Sequence, residues 1–215
     1  MVKVGFIVEG DTEKQIIKSE SFDNLCKDMG VEIISSVFPP HKKRDNGKDM
    51  FKDATKLAAF ANILYDMGAE YIICMRDLEN LPCITSAKSE IDTTDNRIRK
   101  VVVVKKIEAW FLSDTELMKK YFGEKYVVQF PEVVYPEFIE KPDEKLKEIS
   151  VATRNGRGIG DKLLFAKSLI RNGFSIQRAA THPNCHSVKY FINKLAFVLP
   201  TGAIITPPLG DGGLL

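Results

Sequence analysis

The sequence predicts an α/β protein in which a mostly parallel, Rossmann-like sheet is flanked by helices and followed by a basic helical C-terminal segment. Two observations carry this. Through residues 1–122, short apolar runs alternate with stretches whose apolar residues repeat at helix spacing, as crossover connections between parallel strands require. Beyond them the strand signals stop and the periodic stretches are all helical. With 215 residues, 44% of them hydrophobic, the chain can bury a sizeable core.

Residues 2–8 (VKVGFIV) read as a buried strand, and residues 12–29 as a helix with Phe22, Leu25, Cys26 and Met29 on one side. The run VEIISSVF is a second strand. Residues 51–67 follow as a helix through Leu57, Ala58, Ala61 and Leu64, then EYIICM (70–75) as a third strand. RIRKVVVV is a fourth, leading into a helix that carries Ile107, Trp110, Phe111, Leu117, Met118 and Tyr121. Residues 130–142 hold three prolines and suit a wrapping connection better than a central strand. Helices are expected at 144–149, 161–171 and 187–199. The organisation expected is a sheet domain at 1–122, a helical segment at 123–199 packed on it, and an irregular tail at 200–215.

No apolar run approaches the length of a membrane span, and the first residues lack a basic region followed by a cleavable apolar stretch. Four cysteines without paired short spacings fit reduced thiols. Together these predict a cytoplasmic protein with no membrane partner. The net charge of +2 hides an asymmetry, because residues 154–194 carry eight basic side chains against the single acid Asp161. That excess of +7 suggests an anionic partner, DNA or RNA, met by Arg154, Arg157, Lys162, Arg171 and Arg178; a merely solvated basic face is the alternative.

The segment GFIVEGDTEKQII is the most informative. Glu9 stands at the carboxyl end of an apolar strand, Gly10 permits a tight turn, and Asp11 or Thr12 can cap the helix that carries Glu13. A second strand runs into Arg76, Asp77, Leu78 and Glu79, where i, i+2 spacing points both carboxylates the same way if the strand continues through them. Glu108 opens the helix after the fourth strand. Three strand ends thus offer carboxylates to one rim, which is where ligands bind in parallel sheets. Gathered carboxylates repel one another, and hard oxygen donors that stay ionised favour magnesium or manganese. Any single acid could equally be a helix-start residue favoured by the macrodipole.

VEGDTE, the strand ending in DLE, and IEAWFLSD resemble the Toprim fold of topoisomerases, bacterial primases and nucleases of the overcoming-lysogenization-defect (OLD) type, over residues 1–122. The resemblance implies magnesium held by Glu9 and by Asp77 with Glu79, the latter standing where the family has a second aspartate. Glu9 and Glu13 match the Glu-x-x-x-Glu spacing of the OLD-type nucleases. The last of the three segments is similar to small Toprim-like proteins, some of them linked with mobile elements or phage defence. Such nucleases often work beside a separate ATPase, and this chain has no Walker-type loop of its own.

The chemistry expected is metal-assisted hydrolysis of a nucleic-acid phosphodiester. Asp77, Glu9, Glu13, Glu79 and Glu108 are the candidate ligands, for one metal or two. Glu9 is also a candidate general base or acid, and Lys106, beside Lys105, could neutralise phosphate charge. A topoisomerase or a primase needs a further module for which this length leaves little room. The alternative to a nuclease is a regulatory subunit that binds metal and nucleic acid without cutting; a third is a small-molecule-binding domain with a phosphate at the same sheet edge. Weaker signals are the basic loop HKKRDNGKD (41–49), the glycine-rich RNGRGIGDK (154–162), read as a turn capped by Asp161, and THPNCH, whose His182, Cys185 and His186 make an incomplete zinc set.

Overall fold

The computed structural model describes residues 1–37, 48–130 and 133–198, so most of the basic loop at 41–49 and the tail from 199 lie outside the described residues. The fold is α/β. Strands β1 (Val2–Val8), β2 (Val31–Val37), β3 (Tyr71–Asp77) and β4 (Ile98–Val103) form one sheet in the order β2-β1-β3-β4, and every pairing is parallel. The central strands β1 and β3 are apolar runs largely buried on both faces and read as continuous rather than alternating hydrophobicity, whereas the edge strand β2 is only partly buried.

Helices cover both faces. On one, Ile7, Ile72, Cys74 and Ile98 pack against Leu57, Ala61 and Leu64 of α4 (Ala54–Asp66), preceded by the short α3 (Lys48–Phe51). A Cβ on Gly5 would lie 2.9 Å from Leu64 Cδ1, so the missing side chain lets α4 sit close to β1. On the other face, Val4, Phe6, Val8, Ile73, Met75, Val101 and Val103 belong to a larger core shared with residues as distant as Val198. Into it pack α1 (Asp11–Ile17), α2 (Glu20–Asp28), α6 (Glu108–Ser113) and α7 (Thr115–Phe122). So do α8 (Glu124–Gln129), α9 (Pro142–Thr153), α10 (Lys162–Arg171), α11 (Ile176–Thr181) and α12 (His186–Ala196). The short α5 (Ile84–Ser89) lies against β4.

Residues on both sides of position 122 therefore share one core. Phe191 of α12 stacks on Phe22 at 5.6 Å between ring centroids and meets Trp110 at 5.3 Å, while Phe6 meets Phe22 edge-on at 5.8 Å. The Trp110 indole donates to Ser187 Oγ at 2.8 Å, giving the buried ring a polar anchor on α12.

Three helices expected as single runs are divided, each at a residue that prefers a cap to a helix interior. The run at 12–29 breaks at Ser19, whose Oγ accepts from the Phe22 amide at 3.3 Å. The run at 51–67 breaks at Asp53, which accepts from the amides of Thr55 and Lys56. The long helix after β4 breaks at Asp114. α5, α8 and α11 were not expected, being six-residue elements too short for a periodic signature.

Asp114 is 0% exposed, and its carboxylate is saturated. It accepts from the Leu117 amide at 3.1 Å, from the Ser175 amide at 2.9 Å, and from Arg178 through Nε at 2.9 Å and Nη2 at 2.8 Å. Arg178, singled out in the basic stretch as an anion contact, thus joins α11 to α7 through this pair. Asp114→Ala should lower stability by about 2 to 3 kcal/mol, since it strips two buried amides and a partly exposed guanidinium of their acceptor. Urea unfolding measures this, and a loss within the range of ordinary surface substitutions would refute the anchoring role.

Candidate active site

The parallel register sets the site. Val8 pairs with Met75 and Asp77 with Val103, so β1, β3 and β4 end near one another at the carboxyl edge of the sheet. Immediately past β1, Glu9 Oε2 accepts from the Asp77 amide at 3.0 Å, tying together two strand ends that are 68 residues apart. The chain then turns through Gly10 into α1. Gly10 itself, in extended conformation, is the N-cap residue, so Asp11 and Thr12, expected at the cap, stand one and two places inside α1. A Cβ here would come within 3.1 Å of Glu13 Oε2, so glycine makes room for the Glu13 carboxylate to fold back over the helix start.

Glu13 and Glu108 are each 4% exposed, Asp77 is 9% exposed and Glu9 is half-buried. Burial is the main force that raises the Glu13 carboxyl from 4.5 to about 7; the nearby charges of Glu9 and Glu108 add to it, and its own backbone amide and Lys162 oppose it. Burial also pushes Asp77 well above the ordinary aspartate range, helped by Glu13, Glu9 and Glu108. Four of the five acids singled out as metal ligands thus stand close enough to perturb one another. Asp77 Oδ1 and Glu108 Oε2 are buried without any hydrogen-bond partner.

The remaining predicted residues lie to one side. β3 ends at Asp77, and Glu79 has a left-handed backbone with φ of 45°, so the strand alternation expected to align Asp77 with Glu79 does not extend that far. Glu79 instead lines an adjoining polar depression of about 220 Å³ together with Lys106, Glu140 and Asp143. Lys106 Nζ lies 3.2 Å from both Asp143 oxygens, and Lys105 pairs with Glu140 at 2.8 Å.

Two residues that sequence reasoning did not place here come from the C-terminal helices. Lys162, the first residue of α10, puts its ammonium 2.8 Å from Glu108 Oε1 and 3.7 Å from Asp143 Oδ2. Burial works against its charge, yet Glu108, Asp143 and Asp77 hold its proton more tightly than an ordinary lysine does. Read as a nucleic-acid contact, Lys162 proves to be the cation of the acidic site. No local motif distinguishes it, because the contact depends on α10 packing against α1. The one available signal was the complementary imbalance of charge between the two parts of the chain.

Of the other basic residues, Arg154 lies 5.5 Å over the Tyr121 ring, and Arg157 and Arg171 are exposed. The THPNCH residues do not converge. His182 Nδ1 accepts from the Asn184 amide, Cys185 Sγ meets Ser113 Oγ at 3.1 Å, and His186 is exposed. Among the described residues no three His, Cys, Asp or Glu side chains already stand in an arrangement that would hold a metal ion, and no helix is long and apolar enough to cross a membrane. For a divalent cation, Asp77, Glu108, Glu9 and Glu13 fit in kind, being hard oxygen donors with two unsatisfied buried oxygens among them. Comparison of the chain with protein-family models, with curated proteins and with solved structures finds no match.

The raised carboxyls fix a pH dependence. The folded protein holds the Glu13 proton more tightly than the unfolded chain, so in chelator-treated protein stability should decline as pH rises from about 4.5 to about 7. Glu13→Gln should flatten that decline and raise the neutral-pH melting temperature. A melting profile with the wild-type slope in the variant would show that Glu13 is not the group responsible.

Proposed function

We propose that the protein is a metal-dependent phosphodiesterase of Toprim-like kind acting on nucleic acid, with its active site at the carboxyl edge of β1, β3 and β4. The observation that carries the reading is a set of four carboxylates within electrostatic range at one sheet edge, two with buried oxygens that no hydrogen bond satisfies among the described residues. Asp77, Glu108 and Glu9 would hold magnesium or manganese, which on binding supplies Lewis-acid polarisation of a phosphoryl oxygen and a more acidic water.

The chain's own residues divide the remaining work. Glu9, fixed by the Asp77 amide, holds its position relative to β3. Glu13, whose carboxyl is raised to about 7, has the proton affinity suited to general acid or base work near neutrality, a role that sequence reasoning gave to Glu9. Lys106, facing the adjoining depression, lies where it can meet a phosphate once it leaves Asp143. Exposed Arg157 and Arg171, with Arg154, would supply the salt-dependent contact to DNA or RNA.

Cleavage of a labelled panel of single- and double-stranded DNA and RNA, with magnesium or manganese, tests the proposal. Wild type should cut at least one substrate, and Asp77→Asn and Glu9→Gln should each cut it at least ~100-fold more slowly while binding it equally well. Binding without cutting by wild type in either metal would replace this reading with that of a regulatory subunit.

A further inference from the structure

We propose that Lys162 is a tethered counter-ion of the acidic site: its ammonium stands in for a divalent cation in the metal-free protein and is displaced when the cation binds. The inference rests on the reading that this site takes such a cation, and it adds how access to the site is controlled. Nothing in a basic, glycine-rich turn requires its last lysine to face acids. Yet Nζ of Lys162 lies 2.8 Å from Glu108 Oε1, and its charge acts on Glu13 and Asp77 as well.

One positive charge among four carboxylates cannot satisfy them all. Asp77 Oδ1 and the second oxygen of Glu108 remain buried and unpartnered. A divalent ion carries the missing charge and takes six or more oxygen donors, whereas an ammonium has three protons to give. Both cannot sit against Glu108 without repelling each other, so the arrival of one favours the departure of the other.

The geometry provides for that departure. Lys162 is the first residue of α10 and its side chain is 50% exposed, so its flexible stem can turn without moving the helix. Asp143 Oδ2, already 3.7 Å from Nζ, offers a second seat on the solvent side, where it also holds Lys106 at 3.2 Å. Seating Lys162 fully on Asp143 would loosen Lys106 from that carboxylate, which couples cation binding to release of a lysine towards the substrate depression.

The test is calorimetric titration of the whole protein with manganese and with magnesium at low salt, comparing wild type, Lys162→Met and Lys162→Arg. Removing the competing charge should tighten cation binding by about tenfold, a size typical of coupling between two ligands. The arginine variant should stay near wild type. Amine acetylation read by peptide mass spectrometry gives an independent measure on wild type alone, in which manganese should make Lys162 several times more reactive. Unchanged or weaker binding in Lys162→Met, or labelling indifferent to manganese, overturns the inference while leaving the metal site intact. Absence of cation binding in wild type and variants alike removes both.

Discussion

The Asp77 amide donates to the Glu9 carboxylate across the boundary between β1 and β3, and the position of the whole rim follows from that bond. It forms because β1 and β3 pair in a register that sets Val8 opposite Met75, which brings Glu9, just past β1, beside the last residues of β3. Once Asp77 stands there, β4 ends beside it at Val103, and the short connection to α6 brings Glu108 into electrostatic range. α1, leaving β1 through the Gly10 turn, carries Glu13 to the same place. Four carboxylates meet as a consequence of strand register, and burying them is expensive because water can no longer solvate their charge. Protons and the Lys162 ammonium offset part of that cost.

The C-terminal helices therefore complete the site rather than decorate the sheet. α10 packs against α1 and delivers Lys162, and α9 delivers Asp143. Further along, Phe191 of α12 enters the aromatic group of Phe22 and Trp110, while Arg178 of α11 fastens Asp114. The charge excess of residues 154–194 is thus partly consumed inside the molecule, against acids supplied by the part that precedes it. What reaches solvent from that stretch is a smaller positive surface than the sequence total implies.

All four strands fall within a residue or two of where VKVGFIV, VEIISSVF, EYIICM and RIRKVVVV place them, most plainly the central β1 and β3, which are largely buried on both faces and so are continuous apolar runs. The longer helices were legible, while helix continuity and the six-residue helices α5, α8 and α11 were not. Ser19, Asp53 and Asp114 are each compatible with a helix interior by pattern, and only their bonds to amides two or three residues on reveal them as caps. At the site, Glu9 and Asp77 were legible because each sits at a strand end, and Glu13 and Glu108 because each lies in the first turn of the helix that follows one, positions that sequence encodes locally. Glu79 was misplaced relative to Asp77 because its left-handed backbone breaks the alternation on which the spacing argument relied. Lys162 and Asp143 carry no local signature of their place, which depends on helix packing between distant segments; only the charge imbalance along the chain hinted at such a pairing.

The buried acids fall into two groups, those whose oxygens the fold satisfies and those of the rim that keep an oxygen it does not. Asp114 accepts from two amides and a guanidinium. Glu137, 5% exposed, accepts from the amides of His186 and Ser187 at 2.9 and 2.7 Å and so caps the start of α12. Both are satisfied in the manner expected of a structural carboxylate. Asp77 and Glu108, in the same fold and equally removed from water, each leave an oxygen without a partner. A fold that saturates two buried carboxylates has the means to saturate the others. Amides in place of Asp77 and Glu108 would remove the like-charge repulsion, so carboxylates there cost stability that structure alone does not repay, and a ligand of opposite charge is what would repay it.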